Sequence, residues 1–341
     1  MWCRRSILAL PVAAFAQEAP KKGGWRKATE EELRAAGQPI VAEQPAGEVV
    51  FRTEVRQVRV DAEVYDSTGV IQGLERTDFR VFDNGDERDV ASSSQDELPL
   101  DVLLLFDISG SMRPAIRRVA DSASEAFAQL KKGDRVAVMT FHFDSRLLLP
   151  FTHDLDRVGD VIDRQVLGGH FGGGTLIQNA VADATEVFQR DGERNRRRAI
   201  VVITDNEGQR TRREESLLTG LWEADVTLCG LLVGGGYLAY PRRMRIPRGV
   251  FSPGSLPIDL ALRVGVEGLA EKTGGELVPG ENAHAFAGLM KRLRQRYAIY
   301  YSMPKGVVGE QRQVRVELAN GARARFPQAR VRCRKGYVVP A

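Results

Sequence analysis

Cysteine is scarce in this chain. Three occur among 341 residues, and Cys3 stands at the extreme N-terminus outside any lipoprotein-like Leu-Ala/Ser-Gly/Ala-Cys context. The other two, Cys229 and Cys333, have no spacing that suggests zinc or an iron–sulfur cluster. One bridge between them is open in an oxidising compartment, although sequence alone does not fix the geometry such a bridge needs. Histidine is scarce too, and His142, His153, His170 and His284 are scattered. Beyond residue 16 no segment approaches the ~20 apolar residues of a membrane span, so none is expected in the mature chain. Strong charge of one sign is also missing. The formal net charge of +4 includes Arg4 and Arg5 and falls to +2 without them, which gives no reason to expect a nucleic-acid partner. No internal repeat or long low-complexity tract is visible.

What is present divides the chain by composition. Arg4 and Arg5 precede an apolar stretch from Ile7 to Phe15, and Ala14-Phe15-Ala16 is a small-x-small cleavage site before Gln17. Residues 1–16 therefore read as a secretory signal peptide, and the mature protein is expected to be exported, periplasmic or extracellular. Residues 17–48, rich in Pro, Gly, Lys and Glu, read as a linker. Residues 49–97 read as a β-rich accessory segment. There Val58, Val60, Ala62 and Val64 alternate with Arg59, Asp61 and Glu63, and Asp83-Asn84-Gly85 marks a hairpin.

From Leu98 the pattern changes to alternating strands and helices, which predicts a parallel sheet. Strands are expected at 100–106, 136–143, 199–204, 226–233 and 276–278. Helices are expected at 116–130, 155–166, 175–188, 214–224, 259–273 and from 283 to about 297. Arg194, Arg196, Arg197 and Arg198 read as a solvated flank before a strand, and residues 234–258, with Arg242, Arg243 and Arg245, as a surface insertion. Strand character returns near 314–318 and 329–333. The expected fold is α/β, a Rossmann-like, doubly wound, mostly parallel sheet over 98–300. A small β-rich accessory domain is expected from 49–97 together with 301–341.

The most informative stretch is Leu103-Leu104-Leu105-Phe106-Asp107-Ile108-Ser109-Gly110-Ser111. A buried parallel strand here delivers three oxygen side chains to the carboxyl edge of the sheet, where ligands bind in open α/β folds. One carboxylate and two hydroxyls suit a hard cation such as Mg²⁺. A glycine-rich loop, residues 168–174, ends at Thr175, and the run Val201-Val202-Ile203-Thr204 ends at Asp205. The rival reading makes Ser109, Ser111 and Asp205 helix caps. Enzyme signatures are missing. No Gly-x-Ser-x-Gly elbow surrounds Ser109 or Ser111. The glycine-rich loop lacks the Lys-Ser/Thr of a Walker loop. Ser109 stands where haloacid dehalogenase-like phosphatases carry a second acid.

Asp107-x-Ser109-x-Ser111, then Thr175, then Asp205 resembles the metal-ion-dependent adhesion site (MIDAS) of von Willebrand factor type A domains. The flanks, Val58 to Tyr65, Leu74 to Val90, Leu269 to Gly275, Leu293 to Tyr301 and Arg332 to Pro340, resemble a bacterial, acidobacterial-type group of von Willebrand factor A-related proteins. The likeness covers roughly residues 55–340. It departs at Asn206-Glu207-Gly208, where many members carry Gly-Glu-Asp or similar. The resemblance implies that Ser109 and Ser111 ligate Mg²⁺ directly, with Mn²⁺ or Ca²⁺ as alternatives. Thr175 would do so in one loop arrangement, and Asp107 and Asp205 directly or through waters. It further implies a protein-binding or adhesion module, not an enzyme, that recognises an acidic side chain on a partner protein. The competing readings are a metal-dependent phosphoester hydrolase and a structural scaffold of the cell envelope.

Overall fold

The computed structural model describes residues 56–95, 97–191, 193, 195–233 and 263–341. The expected signal peptide, the linker, the insertion at 234–258, and Arg194, Arg242, Arg243 and Arg245 lie outside the described residues.

One sheet has the spatial order Leu277–Pro279, Val226–Leu232, Arg197–Thr204, Leu100–Asp107, Arg135–Phe141, Ser145–Thr152. The first five strands run parallel and the last is antiparallel. Leu100–Asp107 is buried along its whole length, as expected of a central strand covered on both faces. Its side chains divide by the two-residue period of a strand. Val102, Leu104 and Phe106 pack with Ile116, Phe127, Phe286 and Met290 on one face. Leu103 and Leu105 pack with Ile177, Phe188, Leu217 and Leu269 on the other. From Leu100–Asp107 the chain moves to Arg135–Phe141 on one side and later returns to Arg197–Thr204 on the other. The helices that follow the two central strands, Arg113–Asp121 and Glu214–Glu223, therefore lie on opposite faces. That reversal opens a crevice at the carboxyl ends of the two strands, where α/β sheets bind ligands.

Two antiparallel sheets are built from both ends of the described chain. Gln57–Asp66 pairs with Tyr297–Ser302 and Arg330–Cys333, and Tyr297–Ser302 also pairs with Val90–Gln95. The other sheet orders Gly336–Val338, Gln311–Leu318, Phe79–Asp83 and Asp86–Arg88. Val60, Ala62 and Val64 share one apolar cluster with Val81, Val314 and Val316 across the two sheets. The opposite side of Gln57–Asp66 is ionic. Asp225 accepts from Arg59 and, at 2.7 Å, from Arg334. Glu63, 1% exposed, accepts from Arg332 at 2.7 Å, with Arg296 at 3.8 Å and Arg292 at 3.9 Å. Glu276 takes Arg292 at 2.7 Å and Arg332 at 3.0 Å. Burial works to raise the Glu276 carboxyl, but Arg292 and Arg332 outweigh it and hold the group below its usual range.

Several elements differ from expectation. Arg196, Arg197 and Arg198 are not a solvated flank. Arg197 and Arg198 lie within the strand and are 2% and 6% exposed. Arg197 donates to the carbonyls of Leu293, Arg294 and Arg296, closing the C-terminal end of the helix Ala285–Arg294. Arg198 donates to the Ala224 carbonyl at 2.9 Å, and Arg196 to Asp101 at 2.6 Å. The helix expected at 116–130 is two, Arg113–Asp121 and Ala123–Phe127, divided at Ser122, whose hydroxyl bonds the Val119 carbonyl. Ser145–Thr152 is an edge strand missed in the sequence, because Pro150 and a run of leucines obscure the alternation. The helix expected at 259–273 is described from Glu267. The one expected to reach about Tyr297 stops at Arg294, and Tyr297 opens a strand. Cys229 and Cys333 are buried free thiols, and burial pushes the Cys229 thiol up to about 11.

A glycine pair, Gly274-Gly275, ends the helix Glu267–Thr273. Gly274 takes the left-handed position after it, with φ 78°. A Cβ on Gly275 would stand 1.8 Å from the Leu228 carbonyl oxygen, so the helix end reaches the Val226–Leu232 strand only without a side chain there. Gly275→Ala should lower the unfolding free energy by about 1–3 kcal/mol or more, the cost of overpacking. Gly321→Ala, in open space on the helix Asn320–Arg325, should leave it unchanged or raise it by a few tenths of a kcal/mol or so. Urea unfolding of both variants checks this, and equal midpoints would contradict the packing account.

Candidate metal site

Asp107 is the last residue of Leu100–Asp107 and Asp205 follows Thr204, the last residue of the neighbouring strand. Both therefore stand at the reversal point of the sheet. Asp107 is fully buried. Its Oδ1 accepts the Ser109 backbone N–H at 2.9 Å, and its Oδ2 accepts the Thr204 hydroxyl at 2.8 Å. Burial pushes the carboxyl up to about 6; the charge of Asp205 adds to this, while the bonds from Ser109 and Thr204 oppose it. Ser111 is exposed, and its hydroxyl donates to Asp205 Oδ2 at 3.4 Å. Asp205 Oδ1 accepts the Glu207 N–H at 3.1 Å.

The third segment is tied to both. Gly172 N–H donates to the Ile108 carbonyl at 3.1 Å, and Ser109 and Gly172 form a parallel bridge. Ser109 and Thr175 are 7% and 9% exposed. The Thr175 carbonyl accepts from Gln209 N–H at 3.0 Å, and Leu176 N–H donates to the His142 carbonyl at 2.9 Å. The glycine-rich loop is thus stitched to the segments after all three neighbouring strands. Gly174 is at φ 82°, and a Cβ there would stand 2.2 Å from the Phe143 ring. Only glycine serves both the backbone angle and that contact.

All five residues singled out in the sequence gather at this edge, with Thr175 joined through its backbone. The capping alternative fails. Met112 and Arg213 hold the cap positions of the two helices, and neither helix has a side-chain cap bond. Two residues at the site, Thr204 and Arg113, escaped the sequence reading, and a third, Asn206, is noted there only as a departure. Thr204 reads as one more strand position, yet its hydroxyl bridges the two central strands and also accepts the Asn206 N–H at 3.0 Å. Arg113 clamps the glycine-rich loop, donating to the carbonyls of Leu167 and Gly169 at 3.1 and 3.0 Å with its guanidinium 4.4 Å above the Phe171 ring. Asn206 sits at φ 65°, a left-handed position that suits Gly or Asn. Its Oδ1 accepts Val266 N–H at 3.0 Å and its Nδ2 donates to Glu267. The departure from the usual Gly therefore keeps the turn and adds a tie to the next helix.

The donor set is two serine hydroxyls, one threonine and two carboxylates. Among the described residues no lysine or arginine forms an ion pair with Asp107 or Asp205. Two acids that repel each other in a partly buried crevice, beside neutral oxygens, fit a hard divalent cation. Among the described residues no cluster of three or more His, Cys, Asp or Glu could hold a metal, so a softer, nitrogen- or sulfur-rich site is not on offer there.

A doubly wound α/β sheet with this edge defines a class. Residues 102–209 match the family model of the von Willebrand factor type A domain, and the α/β unit of this chain has that fold. The matched stretch contains all five site residues. Among solved structures, the chain is similar to an aerotolerance-related membrane protein from Bacteroides fragilis at 19% identity and TM-score 0.43, covering 57% of this chain and 98% of that one. It is similar to BatB from Bacteroides thetaiotaomicron at 22% identity and TM-score 0.38, covering 57% and 97%. It is also similar to proximal thread matrix protein 1 of the mussel byssus, in a structure with a zinc-occupied MIDAS motif, at 17% identity and TM-score 0.37, covering 42% and 40%. Comparison with curated proteins returned no match.

Thr204→Val removes one hydroxyl with little change of shape. It should cost about 1.5–3 kcal/mol of stability, the range for a hydrogen bond to a charged group. Chemical denaturation in the presence of a chelator checks this. An unchanged unfolding free energy would mean that the Thr204–Asp107 bond does not hold the two strand ends.

Proposed function

We propose that this chain is an exported protein-binding module that recognises an acidic group on a partner protein through a divalent cation, Mg²⁺ in the first instance. Asp107, Ser109, Ser111, Thr175 and Asp205 hold that cation. The observation that carries the reading is the meeting of Asp107 and Asp205 at the reversal point of a von Willebrand factor type A fold, beside two serine hydroxyls and, among the described residues, with no basic partner. A bound Mg²⁺ would supply an octahedral oxygen-coordinating centre with a position open to a partner's carboxylate.

The residues divide the work. Ser109 and Ser111 offer neutral oxygens, so few direct ligands are anionic and the cation keeps its appetite for another acid. Asp107 and Asp205 supply the negative charge from positions already engaged by Ser109 N–H, Thr204, Ser111 and Glu207 N–H. Arg113 and the bond from Gly172 to Ile108 hold the loop that ends at Thr175. The strands of 49–97 and 301–341 form an accessory domain that carries the binding unit, and the signal at 1–16 directs the protein to the periplasm or the cell exterior. Among the described residues no helix is long and apolar enough to cross a membrane.

Millimolar Mg²⁺ or Mn²⁺ should raise the thermal midpoint of the wild type and leave that of Asp107→Ala in place. At about 100 times Kd the stabilisation is ~2.7 kcal/mol. Identical responses of the two proteins would remove the site. Capture of partners from the native cell envelope should require Mg²⁺ and fail in EDTA; retention in EDTA would rule out recognition through the metal. Hydrolysis of p-nitrophenyl phosphate that disappears in Ser109→Ala would instead establish the hydrolase reading.

A further inference from the structure

Four large apolar side chains are exposed among the described residues: Phe143, Leu147, Val307 and Val308. The last two lie between strands of the antiparallel sheets. Phe143 and Leu147 lie on the hairpin joining Arg135–Phe141 to Ser145–Thr152, at the edge that carries the metal site. Phe143 is 54% exposed, and its ring rests on Gly174, the residue before Thr175. Its neighbour His142 accepts Leu176 N–H, which locks the hairpin to the far side of Thr175. Leu147, 41% exposed, is paired with Met139. Met139 packs on the face that also holds Ile177, so Leu147 adds exposed apolar area on that face of the sheet.

The opposite flank of Thr175 is basic. Gln209 N–H bonds the Thr175 carbonyl, and Thr211 and Arg212 N–H bond Gln178 Oε1 at 2.8 and 2.9 Å. Arg210, Arg212 and Arg213 are exposed on this segment. A half-exposed phenylalanine costs solvation and has no structural need of its outer face, since the glycine contact uses only one side. It gives this surface an apolar half beside the acid-binding centre, and the arginines give it complementarity to an acidic chain.

We propose that Phe143, with Leu147, is the specificity element of the site. It selects a protein segment in which an aromatic or aliphatic side chain lies within two residues of the metal-bound carboxylate. The proposal rests on the metal-dependent reading given under Proposed function, and it adds the apolar neighbour that the partner must carry.

The test uses the mature full-length chain and a phage-displayed nonapeptide library with Asp fixed at the centre, bound in Mg²⁺ and eluted with EDTA. Wild-type protein should enrich aromatic and aliphatic residues within two positions of the Asp. Phe143→Ser should lose that enrichment and bind the selected peptides about tenfold more weakly, the loss of burying one aromatic ring. Phe143→Leu should restore part of both. Because Phe143 is half-exposed, these variants are expected to keep the wild-type unfolding midpoint, which is measured alongside. EDTA-eluted peptides with no apolar preference, or with the same preference in Phe143→Ser, would overturn the proposal and leave the metal reading standing. Absence of any EDTA-eluted enrichment by the wild type would overturn both.

Discussion

A carboxylate buried at the end of a central strand must find donors, and in this chain it finds them across the strand boundary. Asp107 is held by the hydroxyl of Thr204 on the neighbouring strand and by the backbone of Ser109 beyond its own. Those two bonds orient its oxygens, and among the described residues no lysine or arginine pairs with its charge. Everything else at the edge is arranged around that charge. Asp205 adds a second one from the adjacent strand, Ser111 reaches across to it, and the glycine-rich loop is sewn beneath both by the bond from Gly172 to Ile108. The parallel register of the two strands favours this placement, since it aligns Phe106 with Ile203 and so brings Asp107 beside Thr204, with Asp205 one residue further on.

The antiparallel unit meets the α/β unit by different physics. Apolar residues of Gln57–Asp66 turn inward to their own core, and Arg59, Asp61 and Glu63 turn towards a junction of alternating charges. Burying ions costs several kcal/mol each before pairing offsets it. A junction of this kind contributes little net stability, but it accepts one geometry, because displacing any member strands a buried charge. Arg197 does related work inside the α/β unit. Its guanidinium occupies the carbonyls at the end of the helix Ala285–Arg294, fixing that helix against the base of the sheet. The edge opposite this anchored base is the one that carries the site.

Much of this was legible in the sequence, for identifiable reasons. The run Leu103 to Phe106 ending in Asp107 reads as a central parallel strand, and the alternation from Val58 to Val64 as a half-buried strand. Asp107, Ser109, Ser111 and Asp205 stand out because polar oxygens follow apolar runs, and Thr175 because it ends a glycine-rich loop. The misses share a cause, too. Arg197 and Arg198 look like surface because charge in a strand is rare, and only three-dimensional neighbours show what satisfies them. Ser145–Thr152 hides because an edge strand needs no buried alternation. Thr204 is silent because β-branched residues fill strands for propensity as well as for their hydroxyl. Phe143 and Arg113 act on the glycine-rich loop across about 30 and 55 residues of chain, a distance no local pattern encodes.

The most direct measurement is anomalous X-ray scattering from crystals of the mature protein soaked in Mn²⁺. The account predicts one strong peak in the crevice between Asp107 and Asp205, within bonding distance of the Ser109 and Ser111 hydroxyls. A peak elsewhere on the molecule, with that crevice empty at saturating metal, would contradict it.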